Sequence, residues 1–187
     1  TPENNDLYQK NESSKQYDFG SFTNLMEGKH RPGHFDGVAT IIEKLFKIFN
    51  PDNAYFGEKD FQQLLLIKTL TEQLDIDTNV IGCETIREPD GLAMSSRNKL
   101  MSYKERKSAK EIIKLLLWAK EVYPKLDFIQ IRDEIKNRSK LIDSFKLEYF
   151  EIMNLEEFSS ISKKNNETRA FIACRIGNIR LIDNIKL

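Results

Sequence analysis

Between Gly37 and Cys83 the chain alternates between two apolar periodicities, and this alternation restricts the fold more than any other feature. Val38, Ile41, Ile42, Leu45, Ile48 and Phe49 recur at helical spacing, and Asn50-Pro51 ends the pattern. The short run Ala54-Tyr55-Phe56 reads as a buried strand turned by Gly57. Asp60 is then placed to cap a second helix with the face Phe61, Leu64, Leu65, Ile67 and Leu70. Asn79 to Cys83 predicts a further strand. Helix, strand, helix, strand at these separations predicts an α/β domain with a parallel sheet.

The character changes after Cys83. The stretch ETIREPDGLAMSSRN, residues 84–98, holds a proline, a glycine and two serines with no periodicity, which marks a long loop or a domain joint. Ser102 and Glu105 form a capping box for a helix running to about Val122, with Ala109, Ile112, Ile113, Leu116 and Ala119 inward. A second helix is predicted from Asp127 to about Asp143, with Phe128, Ile131 and Ile135 on one face. Phe145, Leu147 and Tyr149 then alternate, Ala170 to Ile176 is strand-like, and Gly177-Asn178 turns the chain into Ile179-Arg180-Leu181-Ile182. Two helices followed by antiparallel strands predict a small α+β domain from about residue 87. At 187 residues the chain has room for one domain or two small ones, against about 150 per domain. The segment up to about Gly20 is polar and patternless, a loop or a mobile arm.

Charge and cysteine usage exclude several classes of function. Lys plus Arg and Asp plus Glu number 29 each, so no global field draws in nucleic acid or an anionic membrane. The 12 Phe and 6 Tyr fall mostly at core spacing and read as packing, not as base-stacking platforms. No apolar run approaches a membrane span, and the first residues lack the apolar stretch of a signal peptide. Cys83 and Cys174 lie far apart, and His30 and His34 are the two histidines. A disulfide framework and a Cys/His zinc site of ordinary spacing are therefore excluded. Two lone cysteines fit a reducing compartment, and the expected location is cytoplasmic.

Four clusters could carry chemistry. Arg31-Pro32-Gly33-His34-Phe35 precedes the first helix and reads either as an anion site or as a turn with a surface histidine. Gly57-Glu58-Lys59-Asp60, with Gln62 and Gln63 beyond, sits where a strand feeds a helix, the usual ligand position in open parallel sheets. There Lys59 is a candidate phosphate contact, Asp60 a ribose or metal contact or a plain helix cap, and Gln63 faces the same side. Met94-Ser95-Ser96-Arg97-Asn98 offers hydroxyls, amides and an Arg fork as a phosphate grip, and reads equally as a flexible linker. Arg87-Glu88-Pro89-Asp90 reads as scaffolding for that loop.

Several ordered blocks say more than their spacing. EGKHRPGHFDGVATIIEKLFKIFNPDNAYFGEKDFQQL, REPDGLAMSSRN and the terminal RIGNIRLIDN closely resemble the pantothenate synthetase (pantoate–β-alanine ligase) family, from Glu27 onward. Thr1-Pro2 to Tyr8 is similar to the stretch preceding that region. The resemblance implies that residues 1–86 are the later part of a Rossmann-like nucleotidylyl-transferase domain. It makes residues 87–187 a small C-terminal α+β domain with antiparallel strands, acting as a lid. The implied reaction joins D-pantoate to β-alanine with ATP and Mg²⁺, through a pantoyl-adenylate, releasing AMP and pyrophosphate.

By the same resemblance Gly57, Glu58, Lys59, Asp60, Ile86, Met94, Ser95, Ser96 and Arg97 bind ATP. Lys59 falls on the phosphates, Asp60 near the ribose and Ile86 near the adenine, while Gln63 holds pantoate. Arg31 and His34 match positions lining the family's cleft, and no residue of this chain is assigned to a metal. A homodimer working on small molecules, with no nucleic acid or membrane partner, is implied. The family's H-x-G-H motif is absent, because His30 and His34 are separated by three residues. With a threonine at position 1, the chain resembles the later part of the enzyme and is not expected to catalyse efficiently alone. Two alternatives remain open: a non-catalytic nucleotide-binding or subunit-association module, and another nucleotidylyl transferase, against which Gln63 and RPGHF argue.

Overall fold

The computed structural model describes residues 13–154 and 168–187. The likeness noted for Thr1 to Tyr8 lies outside the described residues. The chain divides into two compact units, Thr1–Glu84 and Thr85–Leu187, so Ile86 falls in the second. Among the described residues no helix is long and apolar enough to cross a membrane.

In the first unit a 3-10 turn (Ser21–Asn24) leads into the short helix α1 (Met26–His30) and then α2 (His34–Phe49). Helix α2 starts earlier than the apolar pattern suggests. Gly33 adopts a left-handed conformation (φ 75°) that reverses the chain, so His34 and Phe35 form the helix's first turn, not a loop ahead of it. Strand β1 (Asn53–Gly57), a 3-10 turn (Glu58–Asp60), α3 (Phe61–Gln73) and β2 (Asn79–Cys83) follow as one β-α-β unit. The strands pair in parallel from Asn53 opposite Asn79 to Gly57 opposite Cys83. The core joins Phe19, Phe35, Ala39 and Phe46 to Leu66, Ile67 and Leu70 of α3. Leu66 is fully buried, whereas the expected Leu65 is only partly covered. Helix α3 is packed on more than one side, which a single-stripe reading misses.

The stretch before Gly20 has no regular structure in its described part, but it is not a free arm. Lys15 donates from its backbone to Thr40 Oγ1 (2.9 Å), and its ammonium meets both oxygens of the buried Glu43 (2.9 and 2.8 Å). Tyr17 donates its hydroxyl to Glu43 (2.6 Å), and Phe19 enters the core. Residues 15–19 thus form a strap on α2.

The second unit opens with the aperiodic stretch and a 3-10 turn (Ser96–Leu100), then α4 (Tyr103–Ala109), α5 (Glu111–Val122) and α6 (Phe128–Ser139). The Ser102–Glu105 capping box is present, and Asp127 with Gln130 makes a second one. The single helix expected from Ser102 to Val122 is two, parted at Lys110, whose backbone stays in the right-handed region (φ −62°, ψ −22°). The break is a loosened turn, not a reversal. Strands β3 (Phe145–Asn154), β4 (Thr168–Ile176) and β5 (Ile179–Lys186) form an antiparallel sheet in sequential order. A register shift between Leu147 and Tyr149 bulges Glu148. Its carboxylate accepts from Arg175 Nε (2.9 Å) and Arg180 Nε (2.7 Å) across the sheet. Leu116, Ile131, Ile135, Ile172, Cys174 and Ile176 anchor the core, and the expected inward stripe of α4 and α5 lies within it or beside it.

Candidate functional site

Gly57 ends β1 at the carboxyl edge of the parallel pair, the edge at which open α/β sheets meet their ligands. A side chain built on Gly57 would meet nothing within 4 Å, so the backbone there faces open space. By contrast, a Cβ on Gly82 of β2 would lie 2.9 Å from Leu64 Cδ2, so that glycine lets α3 pack onto the strand. Asp60 does not cap α3 with its side chain. The 3-10 turn winds Asp60 in ahead of the helix and leaves its half-exposed carboxylate 3.8 Å from Lys59 Nζ. Lys59 itself is mostly covered, 18% exposed along its side chain.

The two adjacent glutamines part company. Gln62 is buried, donating to Phe22 O (2.7 Å) and Leu25 O (3.1 Å) and accepting from the Glu27 amide (3.0 Å). It is structural, and it ties the loop before α1 to α3. Gln63 is half-buried, and its side-chain amide makes no hydrogen bond with any described residue, which leaves that amide available to a ligand. Arg31 donates to His34 Nε2 (2.7 Å) and lies 3.8 Å from Glu27 Oε2. Arg31 also lines a cavity of about 410 Å³ with Tyr17, Thr23, Phe35 and Asp36, whereas His34 does not line it.

In the second unit the aperiodic stretch is folded and is not a loose linker. Arg87 and Ala93 form an antiparallel bridge around a turn at Asp90-Gly91, with Gly91 left-handed (φ 85°). Arg106 clamps this turn, donating to both Glu88 oxygens (3.2 and 2.7 Å) and to Asp90 (2.9 Å). The hydrogen bonds from Arg106 and Asn98 hold the Glu88 carboxyl below its usual range. At Asp90 burial opposes ionisation, but the bonds from Arg106 and the Leu92 amide more than offset it. Asn98, buried, donates to Glu88 (2.6 Å) and Ala93 O (3.1 Å), which fixes the start of the 3-10 turn.

On that scaffold Ser95 accepts from the Arg97 amide (3.3 Å). The Arg97 guanidinium is exposed and pairs with no described residue, while Ser96, Met94 and Ile86 are also exposed. Arg87-Glu88-Pro89-Asp90 is the scaffold its composition suggested. The ATP candidates divide between the units: Gly57, Glu58, Lys59 and Asp60 in the first, and Ile86, Met94, Ser95, Ser96 and Arg97 in the second. Sequence reasoning missed Arg106, and it placed Asn98 and Gln62 in candidate ligand clusters where the structure makes them structural ties.

A parallel β-α-β unit with a charged turn at its strand end, followed by helices and an antiparallel sheet, defines a nucleotidylyl-transferase-like α/β protein. Within that class the chain belongs to the pantoate-β-alanine ligase family, whose sequence model matches residues 1–186. A pantothenate synthetase from Flavobacterium psychrophilum is 44% identical over 184 residues, covering 97% of this chain and 65% of that protein. One from Caldicellulosiruptor bescii is 46% identical over 165 residues, 87% of this chain and 58% of its own length. The pantothenate synthetase of Thermus thermophilus superposes with a TM-score of 0.90 at 35% identity, covering 97% of this chain and 66% of that one. A pantoate-β-alanine ligase from Francisella tularensis, complexed with beta-gamma ATP and beta-alanine, superposes at 0.71 and 35% identity, covering 97% and 61%. The chain thus spans about two thirds or less of the length of these relatives.

Proposed function

We propose that this chain takes part in the ATP-dependent condensation of D-pantoate with β-alanine, through a pantoyl-adenylate and with release of AMP and pyrophosphate. The observation that carries this reading is the family match over residues 1–186, with GEKD-x-x-Q seated at the carboxyl end of a parallel strand. In the first step the pantoate carboxylate attacks the α-phosphorus, which brings anions together, so cations must offset the repulsion. Lys59 and Arg97 are the phosphate-binding cations, Ser95 and Ser96 add hydroxyl donors, and Asp60 takes the ribose. Gln63, with its amide uncommitted, holds pantoate, and Glu58, Ile86 and Met94 complete the nucleotide contacts. In the second step the β-alanine amine attacks the acyl-adenylate carbonyl, and exclusion of water protects the intermediate. The C-terminal α+β domain, residues 87–187, serves as the lid for that purpose.

Among the described residues no three His, Cys, Asp or Glu side chains group as a metal cage. Mg²⁺ would be carried on the triphosphate, where it would neutralise phosphate charge. Arg31 and His34, already paired with each other, are proposed as cleft-lining residues without a chemical step. The free cysteines fit work in the reducing cytoplasm, and the homodimer is proposed from the family likeness alone.

The test is pantoate-dependent exchange of labelled pyrophosphate into ATP, run with this chain and with a longer chain that adds an H-x-G-H pair. The longer chain is expected to exchange, and Lys59→Met in it to lose roughly 10²-fold or more. Full exchange by the Lys59→Met protein would remove Lys59 from the phosphate site.

A further inference from the structure

A groove of about 630 Å³ lies wholly within the second unit, and none of its lining residues belongs to the proposed nucleotide loop. One wall is a helical stripe that runs down α4 and α5 at intervals of three and four residues, carrying Lys104, Lys107, Glu111 and Lys114. The opposite wall is the end of α6 and the chain just after it, with Arg138 and Asp143. The floor and rim are apolar: Leu115 is buried, Trp118 and Ile142 are partly covered, and Leu141 is 87% exposed. The Arg138 guanidinium lies over the Trp118 ring at 4.2 Å from its centroid, leaving a flat, cationic platform.

Charge is not balanced in this groove, although it is in the whole chain. Four cationic side chains line it against two anionic ones, and one of the four, Arg138, is already paired with Glu134 on its own helix (2.9 Å). The existing pairs are weak because water reaches them: in Lys104–Asp143 the two side chains are 78% and 58% exposed, and Lys114 of Lys114–Glu111 is 66% exposed. Lys107 is exposed and pairs with no described residue. A cavity within the range of small-molecule pockets, apolar at its base and with surplus positive charge at its edge, matches one kind of guest.

We propose that this groove binds a small organic anion: an apolar, preferably planar body resting on Trp118, Leu115 and Ile142, with a carboxylate, sulfonate or phosphate directed to Lys107 and Lys104. The proposal does not rest on the ligase reading, since it uses no residue of that site. A neutral ligand would leave the lysines solvated and gain only the apolar contact. A bare inorganic anion would leave the apolar floor wet.

Trp118 is the chain's single tryptophan, so its fluorescence reports directly on this groove. The 187-residue chain is titrated with anilinonaphthalene sulfonate and, in parallel, with uncharged phenylnaphthylamine, which has the same rings without the sulfonate. Saturable quenching of Trp118 by one bound dye per chain is expected, with the anion binding about tenfold more tightly than its uncharged counterpart. Added salt is expected to narrow that difference. Lys107→Glu should weaken the anion about tenfold while Lys107→Arg retains it, and circular dichroism checks that each variant folds. Should the charge reversal prevent folding, Lys114→Gln takes its place and is expected to weaken the anion severalfold. Unsaturable quenching, equal affinity for the two dyes, or an unchanged affinity in a folded Lys107→Glu chain would each overturn the proposal.

Discussion

Asp183 of β5 is 3% exposed, and both its oxygens are taken by Arg87, at 2.6 and 3.0 Å from the two guanidinium nitrogens. Arg87 also donates to Gly91 O at 3.1 Å, so one side chain fastens the start of the loop to the sheet and closes the turn that precedes Met94. Replacing Arg87 with alanine would strand a buried carboxylate, a change that typically costs about 3–5 kcal/mol. Urea unfolding of Arg87→Ala is expected to show that loss, and Arg87→Lys a smaller one, since lysine keeps the charge without the two-pronged geometry. Equal stability of wild type and Arg87→Ala would mean that water or another cation reaches Asp183. The supporting role of Arg87 is legible from the sequence, where REPD stands beside the serine-rich loop. Its partner is not, because the two lie 96 positions apart and only the sheet's register brings them together.

At the scale of elements, the strap of residues 15–19 depends on one carboxylate of α2. Burial works against ionisation of Glu43, but Lys15, Lys47 and the Tyr17 hydroxyl overcome it and hold its pKa at about 2, down from 4.5. Burial and the bond to Glu43 push Tyr17 up to about 12. A carboxyl whose folded pKa is depressed stabilises the fold above its unfolded value and loses that contribution as pH falls. The strap is therefore expected to hold at neutral pH and to loosen between about pH 4.5 and pH 2, with at most about 3 kcal/mol at stake. Amide exchange at Lys15 and Tyr17 should accelerate across that window, and Glu43→Gln should remove the pH step. A step unchanged in Glu43→Gln would assign it to another group.

The strap was hidden in the sequence because Lys15, Tyr17 and Phe19 carry no local period, and their partners sit about 25 residues downstream. Elements with a period of their own were legible: β2 runs over Asn79–Cys83 as read, and Ser102 begins its helix with the expected capping box. Boundaries decided by backbone conformation were not. The left-handed Gly33 starts α2 three residues before Gly37, the 3-10 turn removes Asp60 from its cap, and Lys110 parts α4 from α5. Within the candidate site, the residue types and their place at a strand end were readable. The division of labour between Gln62 and Gln63 was not, since only packing decides which amide turns inward.

Across the whole molecule the two units differ in how much each buries. Among the described residues the first has a two-stranded parallel sheet and a buried apolar cluster of seven side chains, Phe19 to Leu70. The second closes a three-stranded antiparallel sheet against α5 and α6, and β4 is buried at every position except Arg175. Among the described residues its cluster has sixteen buried members, and the Tyr123 hydroxyl adds a bond to Thr168 Oγ1 (3.0 Å). Apolar burial contributes about 25 cal/mol per Å², so the larger core has more to lose on opening. Strand pairs without further hydrogen-bonded neighbours also open at lower free energy than the centre of a sheet. Native-state amide exchange is therefore expected to be slowest in β4, near the global unfolding limit. In β1 and β2 it should be faster by at least about tenfold, the ratio that roughly 1.4 kcal/mol produces. Addition of ATP would then slow β1 selectively if its carboxyl end meets the nucleotide, because a ligand bound to the folded form opposes opening there. Uniform protection across both units would show instead that they open together, with neither core the weaker.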